Sequence, residues 1–301
     1  MTVLLFICLA GYQNQVPACC AVRTGCKDMN NEHHRRVIMY RKTLLFSGIG
    51  VMFCSGCTEP RWQRLERLGA AVIVRQGVII DIDFHKTQIT DAELVHLEGL
   101  TSLGNLRLND TRITDTGLVH LAGLTNLLNL MLNDTQITGS GLVHLQGLTK
   151  LEGLYLNDTR ITDAELVHLA GLTSLRHLYL SDIRMTDVGL VHLAGLTNLR
   201  HLHLDATRIT DAGLTHLEKL HNLAVLVLND TRITGAGLVY LESLRHLEAL
   251  YLNDTRITDE VLVQFNGLTG LHHLELHGTS VTDAGVAELK KALPQCNIHH
   301  H

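Results

Sequence analysis

Histidine recurs every 24 residues, at His96, His120, His144, His168, His192 and His216, and the column continues as Tyr240, Gln264 and Glu288. Imidazoles on a shared stripe could ligate a metal or sense pH. Two further columns carry charge: Asp110, Asp134, Asp158, Asp182, Asp230 and Asp254, and, two residues on, Arg112, Arg160, Arg184, Arg208, Arg232 and Arg256. The acidic stripe could gather calcium, which takes six or more oxygens per ion, and the basic stripe could hold a polyanion. Two other columns vary from step to step. One runs Asp81, Asn105, Asn129, Gly153, His177, His201, Val225, Ala249, His273, and the other Asp83, Arg107, Met131, Tyr155, Tyr179, His203, Val227, Tyr251, Glu275.

The elements that must place these residues follow from the same period. Leu-Asn-Asp-Thr-Arg-Ile-Thr begins at Leu108, Leu156, Leu228 and Leu252, and the threonine recurs in register from Thr87 to Thr279 with Ile183 as its one exception. Within a unit, Leu103, Leu106 and Leu108 end in the alternation of a short half-buried strand. Leu118, Leu121 and Leu124 follow at helical spacing, with Thr114 as the N-cap and Gly123-Leu124-Thr125 as the stop. Thr90 with Glu93, and Thr162 with Glu165, complete capping boxes. One such unit cannot bury its own leucines, whereas a stack of about three or more can. The recurrent threonine should then point inward and bond to the backbone of neighbouring turns.

Stacking decides between the columns. Same-position residues on adjacent helices sit roughly 8–10 Å apart, but one zinc draws ring nitrogens to ~2.0–2.1 Å. The histidine column therefore reads as a copied surface residue. On strands about 4.8 Å apart the Asp and Arg columns would each repel themselves and offset one another side by side, so they read as surface ladders. The varied columns flank the last two leucines of each strand and face outward. Three of the six tyrosines fall in the second of them. Tyr, His, Met and Arg on a rigid sheet make a contact surface, although drift at exposed positions also produces variation. The candidate binding residues are Arg107, Met131, Tyr155, His177, Tyr179, His201, His203 and Tyr251. A third flanking column is more monotonous: Asn109, Asn133, Asn157, Ser181, Asp205, Asn229, Asn253.

The string Leu-x-x-Leu-x-Leu-x-x-Thr-x-Ile-Thr-Asp-x-Gly-Leu resembles the leucine-rich repeat, in the subfamily where cysteine commonly takes the slot of Thr111. The resemblance covers roughly residues 79–298. It implies an α/β solenoid: a curved horseshoe with parallel strands on the concave face and helices on the convex face. The expected organisation is a solenoid over 79–278 between an N-terminal cap at 58–78 and a last helix and C-terminal cap at 279–301, with Cys296-Asn297-Ile298 as a final edge strand.

Residues 1–57 differ in character. Six of seven cysteines lie there, which excludes a disulfide-stapled body. Cys19, Cys20 and Cys26 with His33 and His34 fit no common zinc spacing. Arg41-Lys42, the apolar stretch Thr43 to Phe53 and the small residues before Cys57 have the layout of a secretory signal. The segment resembles a bacterial lipoprotein signal with Cys57 as the lipidated residue, although Cys54 stands where leucine is usual. On that resemblance Met39 or Met29 is the true start, the residues before it are an upstream misreading, and the protein belongs to the bacterial cell envelope. An unlipidated secretory signal and a cytoplasmic protein are the alternatives.

A net charge of −5 and a pI near 6.5 exclude a strongly basic nucleic-acid binder. With 46% hydrophobic but 4% aromatic residues, the chain suits many similar small layers. No Gly-rich phosphate loop, nucleophile elbow or His-Glu-x-x-His is present, so no catalytic residue, cofactor or metal site is expected. The expected function is non-enzymatic recognition of a protein by a monomer, its membrane contact made only through the anchor. The rivals are a passive scaffold and a cytoplasmic substrate-recognition subunit of a larger complex.

Overall fold

The computed structural model describes residues 60–301. The signal segment, Cys57 and the early cysteine–histidine group lie outside the described residues. Eleven strands form one sheet in strict sequence order. The first two, β1 (Ala71–Arg75) and β2 (Val78–Asp83), form an antiparallel hairpin. Its two-residue turn, Gln76-Gly77, has positive φ at both positions, which matches the right-handed twist of the flanking strands. Every later pair is parallel. The remaining strands are three residues each: β3 Asn105–Arg107, β4 Asn129–Met131, β5 Gly153–Tyr155, β6 His177–Tyr179, β7 His201–His203, β8 Val225–Val227, β9 Ala249–Tyr251, β10 His273–Glu275 and β11 Asn297–His299. The middle residue of β3 to β10 is always a buried leucine, so its two neighbours point to the other face. Register is 24 residues at every parallel step, as in Leu106 opposite Leu130 and Leu130 opposite Leu154.

Behind the sheet, most units carry a short 3₁₀ helix rather than the α-helix that the spacing suggested, as at Asp115–Leu121. The reason lies in the spacing itself. Leu118, Leu121, Leu124 and Leu127 are three apart and fully buried, and a helix of three residues per turn eclipses such a series. Where the spacing alternates between three and four, as at Val286, Leu289 and Leu293, the chain forms a regular α-helix over Asp283–Ala292. Gly123 takes no left-handed conformation, so the stop after Leu121 is not a glycine cap. The tight turn and the burial of Leu124 end the helix. The ends are closed by the helix Arg61–Arg67, which buries Leu65, and by Asp283–Ala292 with β11.

The turns are laced together by polar side chains, and the lacing corrects one expectation. Thr111, Thr135, Thr159, Thr207, Thr231 and Thr255 are buried, but each hydroxyl donates to the carbonyl three residues earlier in its own unit, at 2.5–2.7 Å. A short side chain beside a left-handed residue reaches its own turn before it reaches the next. Ile183 fills the same slot, buried and apolar. The cross-turn ladder belongs instead to the monotonous column. Asn109 Oδ1 accepts from the Asn133 amide at 2.9 Å, Asn133 from Asn157, and Asn157 from Ser181. It resumes from Asn229 to Asn253 and from Asn253 to His277. Between them Ser181 is too short to extend it, and Asp205 Oδ1 is buried without a hydrogen-bond partner.

A second ladder runs along the helix starts. The Asp115 carboxylate accepts from the Thr138 hydroxyl at 2.5 Å and from the amides of Thr138, Gly139 and Gly141. Burial alone would raise its pKa, but these donors together hold it below the ordinary carboxylate value. Asp91, Asp163, Asp187, Asp211 and Asp259 make equivalent bonds to Thr114, Thr186, Thr210, Thr234 and Thr282. A glycine stands 26 residues after each such Asp, at the start of the next turn's helix. At Gly117, for example, a Cβ would collide with the Asp91 carboxylate. Where the preceding turn has none, the slot holds Glu93, Glu165 or Val261. Gly139 and Gly235 replace the Asp before the last two, and a Cβ on Gly139 would strike the Glu165 side chain. Glu93 and Glu165 then accept from the Thr90 and Thr162 amides and hydroxyls, the glutamate half of the expected capping boxes.

Candidate functional site

The outward residues of the sheet form two straight columns, with partners in register from Asp81 to Asn297 and from Asp83 to His299. They divide into three zones. At the start lies a polar zone: Asn105 Nδ2 donates to Asp81 Oδ2 at 3.0 Å, and Asn129 Nδ2 to Asn105 Oδ1 at 2.8 Å. Arg107 belongs here. Its Nη1 bonds Asp83 Oδ2 at 2.6 Å and its Nε approaches Met131 Sδ at 3.3 Å, so the guanidinium is already engaged.

The middle zone is aromatic. Tyr155 and Tyr179 stack with ring centroids 4.4 Å apart at 17°, and His203 continues the row 4.2 Å beyond Tyr179. Beside it, His177 and His201 lie 4.7 Å apart. The ~4.8 Å strand spacing imposes this contact, because same-column rings on neighbouring strands have no room to avoid one another. Gly153 opens space for the first ring: a Cβ there would lie 3.2 Å from Tyr155 Cε2. All five rings are half-buried. Desolvation raises the Tyr155 and Tyr179 phenols. Desolvation lowers the three imidazoles, aided at His177 by His201, at His201 by Arg200 and at His203 by His201. The carboxylate of Asp205, 4.0 Å from His203 Nδ1, works against the lowering at His203. The zone is therefore neutral and largely apolar near pH 7.

The structure thus brings together Tyr155, Tyr179, His177, His201 and His203, and sets Arg107 and Met131 to one side. Tyr251 is separated from the row by Val227, which is buried. It instead contacts His273 at 5.2 Å. That third zone contains residues not singled out as candidates: His273, Glu275, His277 and His299. Their signal in the sequence was present, two ligand types alternating at His273, Glu275 and His277, but His299 joins them only because β11 adds one more strand in register.

Other columns settle differently from expectation. Asp110, Asp134, Asp158, Asp182, Asp230 and Asp254 all have φ near +50°, a conformation that Asp tolerates better than most residues. Their recurrence reflects a backbone bend first. Among the described residues no Arg of the neighbouring column comes within 4.0 Å of these carboxylates, so the mutual offset is not made by contact. Burial raises Asp158 and Asp182, and neighbouring carboxylates raise them further. The histidine column is half-buried on the helical side, where His120 Nδ1 lies 2.6 Å from Glu98 Oε1 and His168 Nδ1 2.8 Å from Gln146 Nε2. Cys296 is buried, and desolvation pushes its thiol up to about 11, which removes it as a nucleophile.

Residues 149–209 match the leucine rich repeat family. The structure is similar to an internalin C2 from Listeria monocytogenes, at TM-score 0.54 and 26% identity over 74% of this chain and 81% of that one. The fold is a leucine-rich repeat solenoid. The plant peptide hormone receptor RGFR1 in complex with RGF2 is similar at TM-score 0.54 and 18% identity, covering 77% of this chain and 36% of that one. A leucine-rich repeat protein of Leptospira interrogans gives TM-score 0.49 and 21% identity over 68% and 62% of the two chains. No curated protein matches by sequence. In this solenoid the sheet is the concave side, so all three zones line the hollow of the repeat. Among the described residues no helix is long and apolar enough to cross a membrane.

Proposed function

We propose that this leucine-rich repeat protein is a non-enzymatic recognition module that binds a protein partner across the middle of its concave face. The carrying observation is the unbroken row Tyr155–Tyr179–His203 with His177 and His201 beside it, half-buried, stacked and uncharged on a rigid parallel sheet. Such rings offer large contact area at low entropic cost, and Tyr is enriched where binding energy concentrates. The titratable groups of this middle zone line an open wall rather than a water-excluding pocket, which favours binding over catalysis there. The module acts as a monomer on a protein rather than a nucleic acid, consistent with its net charge of −5.

The test is to identify co-purifying proteins by mass spectrometry and then titrate each purified partner against the parent and Tyr155→Ala/Tyr179→Ala. Loss of at least ~2 kcal/mol, roughly 30-fold in Kd, is expected; equal affinity refutes the assignment of the face. Envelope tethering through a lipid on Cys57 is part of the same proposal and rests on the sequence alone. Expression from Met39 should yield a membrane-fraction product whose mass shows cleavage before Cys57 and added acyl chains. An unmodified mass refutes it.

A further inference from the structure

We propose that the last two strands of the concave sheet hold a zinc-type transition-metal ion, ligated by His273, Glu275 and His299. Donor atoms of these three side chains all lie within 4.8 Å of one another. The cause is strand geometry: Glu275 on β10 is the direct register partner of His299 on β11, and His273 shares the outward face of Glu275 two residues earlier. This is the closeness that the histidine column on separate helices lacks. Two imidazoles and one carboxylate form a donor set suited to zinc. A tetrahedral ion with ~2.0–2.1 Å bonds needs its donors about 3.4 Å apart, which side-chain rotation alone can supply from this starting point. His273 Nε2 already lies 2.8 Å from Glu275 Oε1.

The surroundings are organised for the same purpose. His277 Nε2 sits 3.1 Å from Glu275 Oε2 and fixes the second oxygen of the carboxylate, the support that metal-ligating carboxylates ordinarily receive. The Asn297 carboxamide lies 2.7 Å from His299 Nε2; with its oxygen turned to that nitrogen it accepts the ring N–H and leaves Nδ1 as the ligating atom. The Glu275 side chain is only 16% exposed. The other close His/Asp group, Asp283 with His300 and His301, centres on a carboxylate that is 84% exposed, and it lacks such support. Three protein ligands leave a fourth position open toward the hollow, beside Tyr251, for water or a partner's side chain. The inference stands apart from partner binding and departs from the expectation that no metal site exists.

The test uses the full chain, stripped by chelator, titrated with Zn²⁺ by calorimetry and with Co²⁺ by visible absorption. The parent should bind one equivalent more than His273→Ala or the isosteric Glu275→Gln, and the tetrahedral Co²⁺ bands of that equivalent should be missing from both variants. His277→Gln should keep the stoichiometry and weaken binding about tenfold. His300→Ala/His301→Ala should leave that equivalent unchanged. Metal binding by the cysteines and histidines of residues 1–57 is common to all variants and cancels. Retention of the equivalent by His273→Ala and Glu275→Gln, or its loss in His300→Ala/His301→Ala, overturns the proposal. Matching melting curves of the metal-free variants separate lost ligation from lost fold.

Discussion

Tyr179 shares its column with Tyr155 and His203, and its ring is held between theirs. Its contribution therefore depends on its neighbours as much as on its own area. Replacing Gly153 by Val should disturb this row while leaving every ring in the sequence, because the new Cβ would meet the Asn129 carboxamide and lie 3.2 Å from Tyr155 Cε2. A change in tyrosine fluorescence in a chain that still melts cooperatively is the expected readout. The histidines give the face a pH response. Burial lowers His177, His201 and His203 in the folded chain from the ordinary value of 6.5. The unfolded chain thus binds protons first as pH falls. Their contribution is complete above pH 6.5 and is lost as pH falls through the lowered folded values. Melting temperature should drop from pH 7 to pH 5, and a His177→Gln/His201→Gln/His203→Gln variant should show a shallower drop over that window.

At the scale of the element, the coupling between an Asp on one turn and a glycine on the next is the sharpest feature. Gly139→Asp alone should destabilise by roughly 1–3 kcal/mol, since the new side chain meets Glu165. Glu165→Gly alone should cost about 1 kcal/mol, through the lost capping contacts and the added backbone freedom. The double variant should recover the part of the loss that comes from the Glu165 contact, while the strain of a non-glycine residue at φ +107° remains, and denaturant melts of the four proteins close the cycle. Additive losses would show that the two positions are independent. The strands and their register were readable beforehand, because leucine spacing at a fixed count leaves one way to stack. The helix type was misread, since three-residue spacing fits the 3₁₀ form better than the α form over so short a run. The hydroxyl partner of Thr111 was misplaced for another reason: the left-handed bend at Asp110 folds that side chain back onto Leu108, and no periodicity reports a single φ.

For the whole molecule, the leucine columns bind each turn only to the next, so any interior loss should be felt along the stack. Leu154→Ala, at a fully buried site between two neighbouring leucines, should cost about 2–5 kcal/mol in chemical denaturation. The outward placement of the candidate residues was legible as a set, because variation confined to two columns marks a displayed surface. Their division into three zones was not, since Val227 sinks while Tyr155 and Tyr179 stack, and column letters alone do not reveal depth. The His–Glu group escaped because it needs β11, the final turn, to complete it.

The interrupted rungs at Ser181 and Asp205 carry a mechanical consequence. Amide protons protected by side chains on either side of that level belong to two runs, Asn109 to Ser181 and Asn229 to His277, joined there by leucine packing and strand pairing without the asparagine stitch. Pulled from its ends, or left in heavy water, the solenoid should part first at this seam, and its two halves should release their deuterium-exchange protection at separate rates.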